Sequence, residues 1–407
     1  MKISTENTNN TKRPQNLIHK LASWITILII GIAIEAYFRE ILYSWGLIII
    51  KLIQNYIAEN FVLINLFRVF SFMAGKELCT LILLVFFNYF DMYSSLVLFE
   101  IIACCAVGSG FLKLILKNPR PFFHEDWVKV YDCETGYGNP SGHSITAIAL
   151  YFTLWKIFKQ RYNLNPKLRK LLLSIIFILI ISVLFSRLAL GVHSLNQIIL
   201  GSFVGYQIFY LMFYVFDISL NLDEEVTSLI NYRNRNILIV SNFFFFFMGC
   251  ILFNFFPNLT SLEMNKHLEN ILESCPRTPY SKTFDYESYM MLSTFSLLPG
   301  AYLGIYYDIK VNLSNSQDEW IKMNKGVFRW NKTNFLKGIM RLFIMACILL
   351  IPLACNEFIS PHSHIHFIFI MKNFIPYFSI TFCLFAFVRK ACSSLNFTNH
   401  LANEKET

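Results

Sequence analysis

Charge is what this chain has least of. Asp, Glu, Lys and Arg supply 15% of its 407 residues, while hydrophobic residues supply 55%; a soluble domain carries roughly a quarter charged residues. Mostly apolar runs of about 18 residues or more recur along it, longer than a soluble core helix needs and matched to the ~20 that span a bilayer. A soluble enzyme and a disordered chain are thereby excluded, and an all-α, polytopic helical membrane protein is expected. Acidic residues are the scarcer sign, 26 against 35 basic, for a formal charge of +9. In a soluble chain that excess would suggest nucleic acid, but here Lys and Arg gather in short loops between apolar runs. That is the orientation signal of membrane helices, so membrane lipid is the expected partner and nucleic acid is not. The ten cysteines lack CxxC spacing, and most lie in apolar runs where a thiol acts as a small hydrophobe. No metal and no cofactor are expected. No cleavable signal peptide is expected either, because the first 20 residues are polar and basic and no small-residue cleavage site follows them.

Residues 1–20 read as a basic cytosolic tail and 21–60 as a first span, from Leu21 to about Tyr37, followed by an interfacial stretch. Further spans read at about 62–90, 95–117, 144–160, 171–190, 196–216, 237–256, 288–307, 338–355 and 366–388, with 391–407 as a cytosolic tail. Nine to ten spans are therefore expected. The loop after Trp155 carries Lys156, Lys159, Arg161, Lys167, Arg169 and Lys170 with no acidic residue among them, which assigns it to the cytosol. The segments one span before and one span after it then share the opposite side. Asn258, in Asn258-Leu259-Thr260, falls on that side as a glycosylation acceptor, whereas Asn312, Asn331 and Asn396 come out cytosolic.

Chemistry concentrates in three stretches. Cys133 to His143 reads C-E-T-G-Y-G-N-P-S-G-H, a composition a lipid-facing loop has no use for. Glycines let backbone N–H groups approach an anion, Ser141 adds a donor, and His143 can exchange a proton near neutral pH. Lys113 and Arg120 lie in K-L-I-L-K-N-P-R-P-F-F, and Arg187 and His193 in S-R-L-A-L-G-V-H, all at the same end of their spans. Any one cation there would read as snorkelling to headgroups. Two arginines, a lysine and two histidines converging with a Gly/Ser turn instead make a pocket for a phosphate-sized dianion.

K-x6-R-P, P-S-G-H and S-R-x5-H resemble the three signature motifs of the type-2 phosphatidic acid phosphatase and vanadium haloperoxidase superfamily. Most of that superfamily has Asp four residues after the last histidine; here Gln197 stands there, and with the C-E-T-G flank it is similar to the glucose-6-phosphatases. The motifs cover 113–197, and the layout of 61–390 resembles that family, apart from an extra N-terminal span. The resemblance implies a glucose-6-phosphate phosphohydrolase of the endoplasmic reticulum membrane with its site facing the lumen. His193 would be the nucleophile and His143 the acid and base, with Lys113, Arg120, Arg187, Ser141 and the Gly142 N–H on the phosphate. Gln197, one turn on, would accept the His193 Nδ1 proton. A lipid phosphate phosphatase acting on phosphatidate, a sphingoid-base phosphate or a polyprenyl diphosphate is the alternative, and a silent transporter or scaffold a more distant one. A sugar-phosphate substrate would call for a glucose-6-phosphate transporter beside the enzyme, since the charged sugar does not cross lipid unaided.

Other residues read more plainly. Lys117 suits a headgroup role, and Pro119 and Pro121 end a helix and place Arg120. His362, His364 and His366 alternate at a span end without further ligand spacing. Cys133 and Cys275 fall on one side and could pair, which spacing does not decide. His124, Trp127 and Tyr137 are candidates to touch a substrate, with no rule singling out one.

Overall fold

The computed structural model describes residues 12–57, 60–89, 92–134, 136–161, 164–218, scattered positions between 236 and 292, and 294–312, 332–357 and 366–394. All regular structure among the described residues is helical. The order is α1 (Lys12–Ile57), α2 (Phe61–Phe72), α3 (Lys76–Tyr89), α4 (Met92–Leu116), α5 (Pro121–His124), α6 (Gly142–Arg161), α7 (Pro166–Ala189), α8 (Leu195–Tyr210), α9 (Leu297–Tyr307), α10 (Lys332–Glu357) and α11 (His366–Ser394). Five of these, α1, α4, α7, α8 and α11, are long and apolar enough to cross a membrane, and α2 with α3 makes a sixth as one span bent by 50°. The chain is a multi-pass membrane protein. Most of the expected span at 237–256 lies outside the described residues, as do Asn258, Asn331, Asn396, His362, His364 and the side chain of His366.

Local chemistry sets several helix ends. Asn165 caps α7 by accepting from Leu168 N–H at 2.7 Å, with Pro166 at the first helical position. Asn60 does the same for α2 through Val62 and Leu63. On α7, Ile175, Phe177, Ile178, Ile181 and Phe185 stay exposed while Ile176, Ile180 and Val183 are buried. One face of that helix suits lipid and the other the bundle. The main core joins α3, α4, α6, α8, α9 and α11 through residues such as Leu96, Ile145, Val204, Leu298 and Phe385. A second cluster, including Ile50, Phe122, Phe123, Tyr137, Leu188 and Ile198, roofs the end where α4 and α7 finish and α6 and α8 begin.

The structure departs from the expected N-terminal layout. α1 does not stop near Tyr37 but runs unbroken for 46 residues, roughly 69 Å and about twice the hydrocarbon thickness. Glu35, Arg39 and Glu40 end the apolar run in sequence but not the helix. Arg39 closes on Glu35 one turn back, Nε to Oε1 at 3.1 Å and Nη2 to Oε2 at 2.9 Å, so the carboxylate enters the bundle with its charge met. Trp24 Nε1 donates to Gln207 O at 2.9 Å and Lys20 Nζ to Tyr214 O at 3.2 Å, fastening α1 to α8 and to the turn that extends it. The expected span at 62–90 is likewise two helices, broken between Phe72 and Lys76. The break leaves Ser71, on the last turn of α2, facing Arg187 on α7.

Candidate active site

Arg187 is placed by the last turn of α7, His193 by the five-residue turn that follows, Gln197 by the first turn of α8, and Lys113 by the last turn of α4. Arg120 caps α5 in extended conformation with Pro121 behind it. Ser141 directly precedes α6, so the first-turn N–H groups of Gly142 and His143 have no intrahelical acceptor and form the positive end of that helix. Lys113, Arg120, Ser141, Arg187, His193 and Gln197 are all buried, and His143 is about a quarter exposed.

The side chains converge on one carboxylate that sequence reasoning did not single out, Glu134. Arg120 Nη2 lies 2.6 Å from its Oε2, and Arg187 Nη2 donates to its Oε1. His143 Nδ1 and His193 Nε2 each stand 3.7 Å from it. Both guanidiniums are held from behind. Arg120 donates to the carbonyls of Gly136 at 2.7 Å and Val192 at 3.0 Å, and Arg187 donates to Ser71 Oγ and, at 3.3 Å, to Asp132 Oδ2. Glu134 is thus an anion in a cup of cations.

Around His193 the hydrogen bonds assign one tautomer. Gln197 gives its amide N–H groups to Pro119 O at 2.7 Å and Asn118 Oδ1 at 3.1 Å, so its oxygen is the atom that faces the ring. That oxygen lies 3.0 Å from His193 Nδ1 and 3.3 Å from Ser194 N–H, closing a capping box on α8 at the same time. Nδ1 therefore carries the proton, and Nε2, 3.2 Å from Arg120 Nη1, presents its lone pair to the cup. A Cβ at Gly138 would strike the Gln197 amide, so that position has room only for glycine. Ser141 N–H bonds Gln197 O at 3.0 Å and joins the loop before His143 to the helix after His193.

Electrostatics follow from the crowding. Burial alone would raise the Glu134 carboxyl, but the charges of Arg120 and then Arg187 outweigh it and hold it well below the usual carboxylate range. Burial, and then the Arg120 guanidinium, press His193 well below the usual imidazole range; Glu134 opposes this, and Arg187 and Lys113 add to it. His193 is accordingly neutral at pH 7, a free lone pair beside three cations. Such a set can hold an anion with three exposed oxygens and offer it a nitrogen nucleophile. No cluster of three or more His, Cys, Asp or Glu residues suited to a metal occurs among the described residues.

The sequence-named residues that lie together are Lys113, Arg120, Ser141, Gly142, His143, Arg187, His193 and Gln197. Those that reasoning passed over are Glu134, Asp132, Ser71 and Asn118. One carried a readable signal: Glu134 is an acid inside an otherwise neutral glycine-rich stretch. Ser71 carried none, because only the break between α2 and α3 brings it near Arg187. Cys133, next to Glu134, is bonded to Cys275, with Cα atoms 5.8 Å apart. Nearby, Asn270 donates to Phe123 O at 2.9 Å and Asp126 Oδ1 at 3.0 Å. The pair left open by spacing thus ties the segment around 267–275 over the loop of the cup. Tyr137 is buried in that roof, whereas Trp127 is exposed beside Lys51.

The chain is similar in part to known proteins. Among curated proteins, the chain is 31% identical over 105 residues to the dolichyldiphosphatase of Saccharomyces cerevisiae, covering 24% of this chain and 42% of that one. It is 30% identical over 114 residues to the lipid A 4'-phosphatase of Porphyromonas gingivalis, covering 27% and 44%. It therefore spans less than half the length of each. Neither relative is named for a sugar phosphate, so the likeness to glucose-6-phosphatases rests on the motif residues alone. A solved structure, the first transmembrane PAP2 type phosphatidylglycerolphosphate phosphatase from Bacillus subtilis, is similar at a TM-score of 0.40 and 19% identity, over 47% of this chain and 94% of that one. Residues 94–219, which hold every side chain of the cup except Ser71, match the PAP2 superfamily.

Proposed function

We propose that the protein is a membrane phosphohydrolase that removes phosphate from a phosphorylated lipid, a phosphate monoester or a polyprenyl diphosphate, without a metal. The observation that carries the proposal is the carboxylate of Glu134, gripped by Arg120 and Arg187 and 3.7 Å from both histidines. An anion already sits where a phosphoryl group would be bound and attacked. The lipid class is favoured by the names of the two curated relatives and by a site at the end of membrane-spanning helices.

In this reading the substrate phosphate displaces Glu134 and takes its guanidiniums, with Lys113, Ser141 and the Gly142 N–H completing the clasp. His193 Nε2 attacks phosphorus in line, the bond to the leaving oxygen breaks, and His143 gives that oxygen its proton. The His193 Nδ1–H charge is supported by Gln197. His143 then takes a proton from water, whose oxygen attacks the phosphohistidine, releasing inorganic phosphate and restoring His193. The cations lower the barrier by holding charge that grows on the three non-bridging oxygens.

A second reading, hydrolysis of glucose-6-phosphate in the lumen of the endoplasmic reticulum, is favoured by Gln197 and the C-E-T-G flank. It would require a glucose-6-phosphate transporter, and Asn258 as a glycosylation site goes with the same luminal orientation. Phosphate release from phosphatidate, a polyprenyl diphosphate and glucose-6-phosphate, measured with the same purified protein in nanodiscs, decides between them. Faster turnover of a lipid is expected; glucose-6-phosphate turned over with both lipids inert would overturn the lipid reading.

A further inference from the structure

The proposed mechanism uses nothing from α1, yet a buried acid on that helix reaches both halves of the site. Glu35 Oε1 accepts from Asn139 Nδ2 at 2.9 Å and from Asn196 Nδ2 at 2.9 Å, and its side chain is 3% exposed. Asn139 stands two residues before Ser141, in the stretch that delivers His143. Asn196 stands between His193 and Gln197, on the first turn of α8. Both asparagines are fully buried. Arg39 fixes the carboxylate from its own helix, and α1 is itself pressed against α8. A Cβ at Gly46 would come within 2.7 Å of Leu195 N, and one at Gly31 would collide with the Phe203 ring. Farther along α1, Gln54 donates to Lys129 O at 2.7 Å and Ala189 O at 3.3 Å, gripping the loop ahead of Glu134 and the end of α7. A charge at this depth is costly unless several donors surround it, and besides Arg39 the donors on this one belong to the two segments whose spacing the reaction depends on.

We propose that Glu35 is a positioning residue that sets the distance between His143 and His193 by tying Asn139 and Asn196 to one point on α1. The inference rests on the phosphohydrolase reading for its kinetic arm and is independent of it for its structural arm. In-line attack with proton delivery to the leaving oxygen needs the two imidazoles on opposite sides of one phosphorus, and misplacement of a reacting group by ~1 Å costs on the order of 100-fold. Neither asparagine is among the residues assigned to the phosphate, so binding is expected to survive when geometry is lost.

The experiment uses the full chain in nanodiscs and compares wild type with Glu35→Ala, Glu35→Gln and Asn196→Ala, reading kcat and KM together with amide hydrogen exchange over 136–143 and 192–198. Glu35→Ala is expected to lower kcat about 100-fold with KM changed by less than about threefold, and to raise exchange in both segments. Glu35→Gln keeps an acceptor oxygen for the asparagines and is expected to recover kcat to within about tenfold of wild type. Asn196→Ala is expected to loosen 192–198 alone and serves as the deciding variant if Glu35→Ala does not accumulate. Wild-type kcat and exchange in Glu35→Ala, or a Gln variant no better than Ala, would overturn the proposal. A wild type inert on every phosphate ester would sink the phosphohydrolase reading, and the exchange pattern would still decide the role of Glu35.

Discussion

Asp308 and Glu134 are both enclosed carboxylates that meet guanidiniums, and they are set differently. Asp308, after α9, takes Arg389 of α11 in a two-point fork, Oδ2 to Nε at 2.6 Å and Oδ1 to Nη2 at 2.8 Å. The pair joins α11 to the turn after α9. Glu134 instead faces two guanidiniums and two imidazoles, with Lys113 buried close by. Breaking a buried ion pair costs stability; two guanidiniums forked on one carboxylate can also be met by an anion from outside. Under the proposed function, the first kind of pairing holds the fold and the second gives way to the substrate phosphate.

Substitutions can test that contrast, and the largest effect belongs to His193→Ala. It is expected to lower kcat at least about 10⁴-fold in single-turnover phosphate release while the protein stays folded. Arg187→Ala should cost about 10²–10³ in kcat/KM, and Arg187→Lys, which keeps the charge but loses the fork to Ser71 and Glu134, should restore only part of it. Gln197→Ala leaves the His193 Nδ1–H without its acceptor and should lower kcat about 10-fold, measured at saturating substrate. Glu134→Gln acts on pH dependence. The carboxylate raises the proton affinity of His193, so its removal should move the acid limb of kcat/KM to lower pH; an upward shift would contradict the cup's electrostatics. At the small end, Arg389→Ala should leave kcat within about twofold while lowering stability by about 3 kcal/mol, read from denaturation in detergent.

Much of the cup was legible because its residues obey short-range spacing. Arg187, His193 and Gln197 fall along one helix end and the turn after it, and Ser141 and His143 flank a helix start, so pattern alone brings them near one another. Glu134 and Glu35 were missed for a different reason. An acidic residue in a membrane chain reads as exposed or as a span boundary, and only tertiary packing shows it enclosed by donors. The unbroken α1 was hidden the same way, since the Glu35–Arg39 pair resembles a helix end in composition and becomes an interior feature once Asn139 and Asn196 meet it. The ion pair of Asp308 with Arg389 spans 81 residues, beyond any local pattern.

The central claim, that a phosphoryl group replaces the Glu134 carboxylate and passes to His193, is tested most directly by quenching the purified protein within milliseconds of mixing with a ³²P-labelled lipid phosphate and mapping the label. The account predicts acid-labile, base-stable phosphate on the peptide that contains His193, and none in His193→Ala. Steady turnover with no labelled histidine, or label retained in His193→Ala, would contradict it.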